Sequence, residues 1–350
     1  MKRSNTYWDN RANQIIADNH ISATTYLMRL NEAYKKAMAQ TISDVNKIFA
    51  TYANNHNLTN EQARKLLNEN INNTELRKLK RRLLQTSNEE LKKQILARLN
   101  AKAYGVRITR LEALQECINS TFKELAVQEA KLFRSSFMKS IKSSYYKTIY
   151  EFQKGIDMAF SVASIDTRQL NMLLKAEWTG RNYSTSVWNN TSVVVKEVSK
   201  TIESSILSGK SLKTLAKDLE RLSNLGMFAA ERVLRTETSY FSNQAALMGY
   251  EEVGIEKYVF VATLDGKTCH CGNGDKKSCG ELDREVFPIK DKKVGVNCPP
   301  MHPFCRCTVR SYINDEILNR AQRRARDPNT GKTKVIGNMS YMEWRKQYVA

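Results

Sequence analysis

Side chains that bind soft metal ions crowd into one short stretch of this 350-residue sequence. Six of the seven cysteines and two of the four histidines lie there. The eight residues are Cys269, His270, Cys271, Cys279, Cys298, His302, Cys305 and Cys307. Thiolates and imidazoles at this density are typical of a tetrahedral zinc site. Bound zinc would supply the folding free energy that a short strand-and-loop module lacks.

One zinc ion needs only four of these ligands. The set that the spacing favours is Cys269, Cys279, His302 and Cys305. Cys271 is an alternative to Cys279 as the second ligand. Cys298 and Cys307 are spare by this count, and a second metal site is the alternative to leaving them without metal. Disulfides are the competing interpretation, but a reducing cytoplasm would not preserve them.

The sequence favours a structural zinc over a catalytic one. A catalytic zinc keeps an open coordination position and a general base nearby. Neither the deaminase pattern His-x-Glu with Pro-Cys-x-x-Cys nor the pattern His-Glu-x-x-His occurs here. We therefore expect a closed metal site, and we do not expect an enzyme.

The elements around the cluster change character along the chain. Residues 258–263, 285–288 and 307–312 are short and rich in β-branched or aromatic side chains, which predicts strands. Upstream, apolar residues recur every three or four positions, and all five prolines lie after residue 287, so long helices are permitted. The predicted fold is mainly α, with long helices and a small C-terminal α+β zinc-binding module of short strands.

Local signals give helix ends and domain boundaries. Capping boxes are predicted for the pairs Thr59 and Gln62, Ser87 and Glu90, and Thr109 and Glu112. One helix is predicted over 211–222 and a longer one over 227–250, with Gly254 at its end. The predicted divisions are a helical region 1–165, a helical middle region 166–254, a Cys/His-rich β module 255–312, and a basic tail 313–350 with a short terminal helix.

The charge balance indicates a polyanionic partner. The 56 Lys and Arg exceed the 36 Asp and Glu, giving a net charge of +20. Such an excess favours non-specific attraction to the phosphates of DNA. Candidate DNA contacts in the tail are Arg320, Arg323, Arg324 and Arg326. There is no apolar run of membrane-spanning length and no signal peptide, so we expect a protein made in a cytoplasm and no membrane partner.

Several motifs together resemble one known family. They are Leu264-Asp265-Gly266-Lys267-Thr268-Cys269, Cys279-Gly280-Glu281-Leu282-Asp283, Pro299-Pro300-Met301-His302-Pro303-Phe304-Cys305-Arg306-Cys307, Leu234-Arg235-Thr236-Glu237-Thr238 and Tyr341-Met342-Glu343-Trp344. This combination resembles the Mu F-like head morphogenesis family of tailed phages. The sequence departs from the family's usual Cys-x-x-Cys by having Cys269-x-Cys271 and a loop to Cys279, which leaves the second ligand undecided.

The resemblance implies a minor capsid protein that acts in head morphogenesis and is associated with the portal vertex. The implied partners are the portal protein, capsid or scaffold proteins, and DNA. The implied location is the virion, at the capsid interior or portal vertex, after assembly in the host cytoplasm. The Arg-Thr-Glu signature favours a role for Arg235 and Glu237 in tying their helix to the zinc module, with a solvated helix surface as the alternative.

The alternative function is a metal-dependent nuclease or a toxin-type enzyme carried on the same module. Ser184-Thr185-Ser186 is faintly similar to an ADP-ribosyltransferase core motif. No convincing Glu-x-Glu partner follows it, and no convergent set of acid and base residues is apparent. A free zinc-finger DNA reader is disfavoured because no recognition helix separates the Cys and His pairs.

Overall fold

The structure is a computed structural model, and it describes most of the chain. The described ranges are 4–50, 60–86, 88–95, 109–157, 162–208, 210–263, 277–313, 322–326 and 333–337.

Helices dominate the described residues before 254. The long ones are α1 (Asn5–Ala50), α4 (Arg110–Ile156), α6 (Tyr183–Leu207) and α7 (Leu212–Glu252). The shorter ones are α2 (Asn60–Asn68), α3 (Asn73–Leu83) and α5 (Thr167–Leu174). Residues 89–95 are also helical. The predicted fold class is confirmed.

Capping interactions set the starts of several helices. The Glu112 carboxylate accepts from the Thr109 amide at 2.9 Å, and the Glu112 amide donates to the Thr109 hydroxyl at 3.2 Å, which confirms that capping box. The other two predicted boxes begin at Thr59 and Ser87, which lie outside the described residues. Boxes that were not predicted begin at Asn72, before α3, and at Asp166, before α5.

Helix α7 is continuous through the segment where two helices were predicted, so that prediction was wrong. Gly226 sits inside the helix because its missing side chain makes room for a neighbour. A Cβ at this position would lie 2.6 Å from Cε1 of Tyr34 and 3.2 Å from Cγ2 of Val194. The predicted end is correct. Gly254 has φ +76°, and the following Ile255 amide donates back to the Tyr250 carbonyl at 2.9 Å.

The three predicted strands form one antiparallel sheet with β1 in the centre. They are β1 (Lys257–Val261), β2 (Val286–Pro288) and β3 (Thr308–Ser311), in the order β2-β1-β3. Val259 pairs with Val286 on one side, and Phe260 pairs with Val309 on the other. Four consecutive β1 residues from Tyr258 to Val261 are buried, so both faces of the central strand are covered.

The chain forms two compact units, each built from separated segments. Unit 1 comprises Met1–Thr25, Arg134–Asn182 and Arg232–Ala350. Unit 2 comprises Tyr26–Phe133 and Tyr183–Glu231. The four divisions predicted from the sequence are continuous ranges of the chain, and they remain a prediction.

Unit 1 is held by a buried polar contact and an aromatic contact between helices. The Asn19 amide of α1 donates to the Ser144 hydroxyl of α4 at 2.8 Å and to the Ser242 hydroxyl of α7 at 3.0 Å. Phe137 and Phe241 pack with ring centroids 4.8 Å apart. The side chains in both contacts are buried, so α1, α4 and α7 pack closely within the unit.

Unit 2 has its own buried centre. The Tyr34 hydroxyl of α1 donates to Oε2 of Glu129 on α4 at 3.1 Å. An ion pair joins Arg82 of α3 to Asp44 at 3.3 Å, and the same guanidinium donates to the Thr121 hydroxyl at 2.9 Å. These contacts connect α1, α3 and α4 through groups that are largely removed from water.

The basic tail contains a feature that sequence analysis missed. Strands β4 (Gln322–Arg326) and β5 (Thr333–Gly337) pair antiparallel, with Arg324 opposite Val335. The sequence analysis predicted no strand in this part of the tail. The predicted terminal helix lies outside the described residues.

Candidate metal centre

Three buried thiols meet at one side of the small sheet. The Sγ atoms of Cys279, Cys305 and Cys307 lie within 4.8 Å of one another. Each residue has at most 1% of its surface exposed. They pack with Phe260, Ala262 and Leu282 in one core cluster. This arrangement could hold a metal ion, and it lies where sequence analysis predicted one.

Short-range structure fixes each thiol. Cys279 begins α8 (Cys279–Leu282), whose capping box is formed by Ser278 and Glu281. Cys305 follows a turn in which its amide donates to the His302 carbonyl at 3.1 Å, and Phe304 within that turn has φ +61°. Cys307 immediately precedes β3. Side chains two residues apart in an extended chain point to the same side, so Cys305 and Cys307 face Cys279 together.

Helix α7 anchors the segment that carries two of the thiols. The Thr236 hydroxyl accepts from the Phe304 amide at 3.0 Å. The Asn243 side chain donates to the Cys307 carbonyl and accepts from the Val309 amide, both at 3.1 Å. Asn243 is fully buried, so these two bonds form away from water and fix the register of the segment.

The three thiols perturb one another strongly. Hydrogen bonds from Cys279 and Cys307, with a further one from His302, hold the pKa of Cys305 well below its ordinary value. Hydrogen bonding to Cys305 and Cys307, together with burial, raises the pKa of Cys279. For Cys307 the bond with Cys279 lowers the pKa, but the bond with Cys305 and burial outweigh it, and the pKa rises to about 12. The lowered pKa of Cys305 favours its thiolate, which is the form of cysteine that binds a metal ion.

His302 is the neighbouring imidazole. Its Nδ1 lies 2.8 Å from the Pro303 carbonyl oxygen, and its Nε2 is buried. It lies outside the group of atoms within 4.8 Å of one another, although its hydrogen bond contributes to the low pKa of Cys305. Fixing one ring nitrogen on a carbonyl is how proteins orient a histidine whose other nitrogen binds metal.

The donor set fits a zinc ion. Zn–S bonds of about 2.3 Å in a tetrahedron place the sulfur atoms ~3.8 Å apart. The three Sγ atoms all lie within 4.8 Å of one another, so small side-chain movements would bring them to that spacing. Cys279, Cys305 and Cys307 would therefore hold the ion, and the metal would supply neutralisation of the thiolate charge.

The remaining cysteine of the described module is structural. Cys298 is fully buried and has a raised pKa of about 12, chiefly because of burial. Its Sγ accepts from the Gln244 side chain at 3.6 Å. It lies outside the three-thiol group, and its treatment as spare in the sequence analysis stays a prediction.

The structure brings together two cysteines of the predicted ligand set and one that was counted as spare. Cys279 and Cys305 meet as expected, and Cys307, which was counted as spare, joins them. Cys269, His270 and Cys271 lie outside the described residues. The Cys305-Arg306-Cys307 spacing was the available signal for Cys307, because a two-residue step in extended chain brings both thiols to one side.

Arg235 and Glu237 make their described bonds away from the module. Arg235 donates to the His20 carbonyl at 2.6 Å and to the Thr24 hydroxyl at 3.1 Å, both on α1. Glu237 accepts from the Trp178 indole at 3.1 Å, and burial raises its pKa to about 7. Their predicted role as a tie stays a prediction. Bonds between α7 and the module come from other residues of the helix, among them Thr236, Asn243 and Gln244.

The predicted arginine contacts of the tail are placed only in part. Arg323, Arg324 and Arg326 belong to strand β4. Arg320 lies outside the described residues. In the part of the chain that the structure describes, no helix combines the length and the apolar character needed to cross a membrane.

Comparison with known families identifies the region that carries the metal centre. Residues 196–310 match the family model of Phage Mu protein F like protein. This region of the chain is Mu F-like. The Mu F-like region contains α7, the three-stranded sheet, and the three clustered cysteines. It therefore contains both the three-thiol cluster and the helix that anchors the segment carrying Cys305 and Cys307.

A curated relative extends the similarity beyond the Mu F-like region. The NAD(+)–arginine ADP-ribosyltransferase EFV of Enterococcus faecalis is 24% identical over 255 residues, which is 68% of this chain and 49% of the relative. The chain thus spans about half the length of this relative. No solved structure matches the chain.

Proposed function

We propose that the protein is a minor head protein of a tailed bacteriophage that acts in head morphogenesis. The observation that carries the proposal is the Mu F-like match over 196–310, because it covers the helix and sheet that build the thiol cluster. Its partners in this proposal are the portal protein, capsid or scaffold proteins, and non-specifically bound DNA. The net charge of +20 supports the DNA partner.

The metal centre has a structural role in this proposal. Zinc held by Cys279, Cys305 and Cys307 would fix the small sheet on α7, with His302 or a ligand from the Cys269–Cys271 segment completing the coordination. The buried position of all three thiols supports this role, since a catalytic metal needs a position open to substrate. The protein is accordingly proposed to act without catalysis.

The test is the composition of assembled heads. Mass spectrometry of purified virions and of DNA-free procapsids should find the chain in both, at low copy relative to the major capsid protein. Phage lacking the chain should accumulate aberrant or unfilled heads. Absence of the chain from both particles, or normal filled heads without it, would contradict the proposal.

The similarity to an ADP-ribosyltransferase makes that activity the second candidate. It is supported by the relative's name and by a similarity that reaches beyond the Mu F-like region. Against it, Ser184-Thr185-Ser186 lies in the first turn of helix α6, and no convincing Glu-x-Glu partner follows it in the sequence.

The two candidates are separated by one assay. Purified chain is incubated with labelled NAD+ and either free arginine or an arginine-rich protein. No transfer above a heat-denatured control is expected. Transfer that disappears in Ser184→Ala would replace the structural proposal with the enzymatic one.

A further inference from the structure

A cavity in unit 1 lies between α1 and one end of the small sheet. Its volume is about 600 Å³, which is within the range of sites for small molecules. One face of α1 lines it from Thr6 to Ile21, and the opposite wall is formed by residues 261–263, 283–284 and Arg306. None of the three clustered thiols lines it, although its lining residue Arg306 lies between Cys305 and Cys307 in the chain.

A buried histidine opens into this cavity with unused hydrogen-bonding capacity. His20 has 9% of its surface exposed, and both of its ring nitrogens are buried without a hydrogen-bond partner in the described part of the chain. Leaving buried polar groups unpaired lowers stability, so such groups usually have a partner. Two buried ring nitrogens without a hydrogen-bond partner, facing a cavity, indicate that a ligand binds there.

The charge around His20 selects the sign of that ligand. Burial, followed by the positive charges of Arg235 and Arg306, lowers the pKa of His20 to about 4 against the opposing effect of Cys305, so the imidazole is neutral near pH 7. A neutral ring offers one N–H donor and one acceptor. The guanidinium groups of Arg235 and Arg306 near the ring favour an anion over a cation.

The acidic side chains of the cavity are already engaged. Asp9 pairs with Arg310 at 2.6 Å and with Arg284 at 3.1 Å. Asp283 accepts from the Ala262 amide at 2.8 Å. Asp283 also pairs with Arg284 at 3.8 Å, so both carboxylates face a guanidinium group. The polar lining further includes the side chains of Asn10, Asn13 and Arg306.

The rest of the wall is aliphatic. Ile16, Ala17, Ile21 and Val261 line the cavity beside the donors. A ligand that matches both parts has an anionic group for the donors and a flat or apolar body for the aliphatic wall. Inorganic phosphate would leave the aliphatic wall unused, whereas a nucleotide has both parts and suits a protein with a large positive charge.

We propose that this cavity binds a nucleotide phosphate, with the phosphate held by Arg306, Asn13 and His20 and the base lying against the aliphatic wall. The nucleotide is either free or the 5′ end of a DNA strand. This site goes beyond the proposed head function, because it assigns a small-molecule pocket to α1 and the sheet.

The test uses the full chain and titration calorimetry. The probes are deoxyadenosine monophosphate, deoxyadenosine, inorganic phosphate, and an oligothymidylate with and without a 5′ phosphate. Saturable binding of the monophosphate is expected, at least about tenfold tighter than deoxyadenosine or inorganic phosphate, because charge-assisted hydrogen bonds and wall contacts each contribute. Equal affinity for all three small probes, or no saturable binding of any, would overturn the proposal.

Two matched pairs of variants locate the site. Asn13→Leu fills the cavity, and Gln14→Leu alters the adjacent residue of α1, whose side chain is exposed and bonds to Asp18. Arg306→Gln removes a cavity charge, and Arg29→Gln removes an exposed charge elsewhere on α1. The first member of each pair should weaken binding at least about tenfold and the second should not. Equal effects within both pairs would place binding elsewhere and refute the site.

The histidine supplies an independent readout. The ring ¹⁵N resonances of His20, assigned by their loss in His20→Gln, should shift as the monophosphate is added and saturate at the calorimetric stoichiometry. Unchanged resonances at saturation would overturn the proposal even if the protein binds nucleotides. Preference for the phosphorylated oligothymidylate over the monophosphate would identify a strand end, and the reverse preference would identify a free nucleotide.

Discussion

The buried carboxyl group of Glu129 should make the protein less stable as pH rises. Glu129 has no exposed surface, and its Oε2 accepts from the Tyr34 hydroxyl at 3.1 Å. Burial raises its pKa from 4.5 to about 8, against the opposing effect of the Tyr34 hydrogen bond. The folded protein therefore holds a proton on Glu129 in a pH range where the unfolded chain has lost it.

This difference in pKa between the folded and unfolded states sets the sign and size of the change in unfolding free energy with pH. A group with a raised folded pKa contributes its full stability below its unfolded pKa and loses it as pH rises through the folded pKa. Between about pH 5 and about pH 8 the loss from Glu129 is roughly 3 kcal/mol, at about 1.4 kcal/mol per pH unit. Glu237, whose pKa is raised to about 7, adds a change of the same sign.

The assay is urea unfolding of the full chain and of Glu129→Gln at several pH values across this range. Glutamine keeps the shape of the protonated carboxyl and cannot ionise, so the variant should gain stability relative to the parent as pH rises. Glu124→Gln, on the same helix and half-buried, is the control. A parent-to-variant difference that is constant with pH, or that falls with rising pH, would refute the reasoning.

Three further changes test the packing. Gly226→Ala should lower unfolding stability by about 1–3 kcal/mol, because the buried Tyr34 ring cannot leave the space that the new methyl needs; an unchanged urea midpoint would contradict this. Asn243→Leu should lower metal affinity roughly 10–100-fold, measured by chelator competition, because two buried bonds that position the metal-binding segment are lost; wild-type affinity would exclude that role. Asp9→Asn should cost about 3–5 kcal/mol in urea unfolding by leaving Arg310 buried without its charge partner, and a neutral effect would show that the pair is dispensable.

The helical body was predictable because its signals are local. Apolar spacing gave the helices, and the Thr109–Glu112 box and Gly254 gave two of their ends. The break predicted between residues 222 and 227 was wrong, and Gly226 lies inside the continuous helix α7. Its role is set by Tyr34, which is distant in sequence, and no local pattern carries that information.

The sequence predicted where the candidate metal site lies, but only part of the set of cysteines that form it. Residue chemistry identified the metal-binding segment, and the three strands were placed within one or two residues. Which thiols meet depends on how α8 and the segment before β3 approach each other, so Cys307 was undervalued. The pairing of β4 with β5 was missed because their sequences are charged and lack strict alternation of apolar residues.

The most direct test of the account is the metal content of the purified full chain, measured by elemental mass spectrometry together with thiol reactivity. We predict zinc bound at a fixed ratio, lost in Cys305→Ala and retained in Cys298→Ala, which changes a buried cysteine of the same module outside the cluster. The thiols of Cys279, Cys305 and Cys307 should be unreactive until a chelator is added. A folded, metal-free protein, or equal metal loss in both variants, would contradict the claim that this cluster is a metal centre.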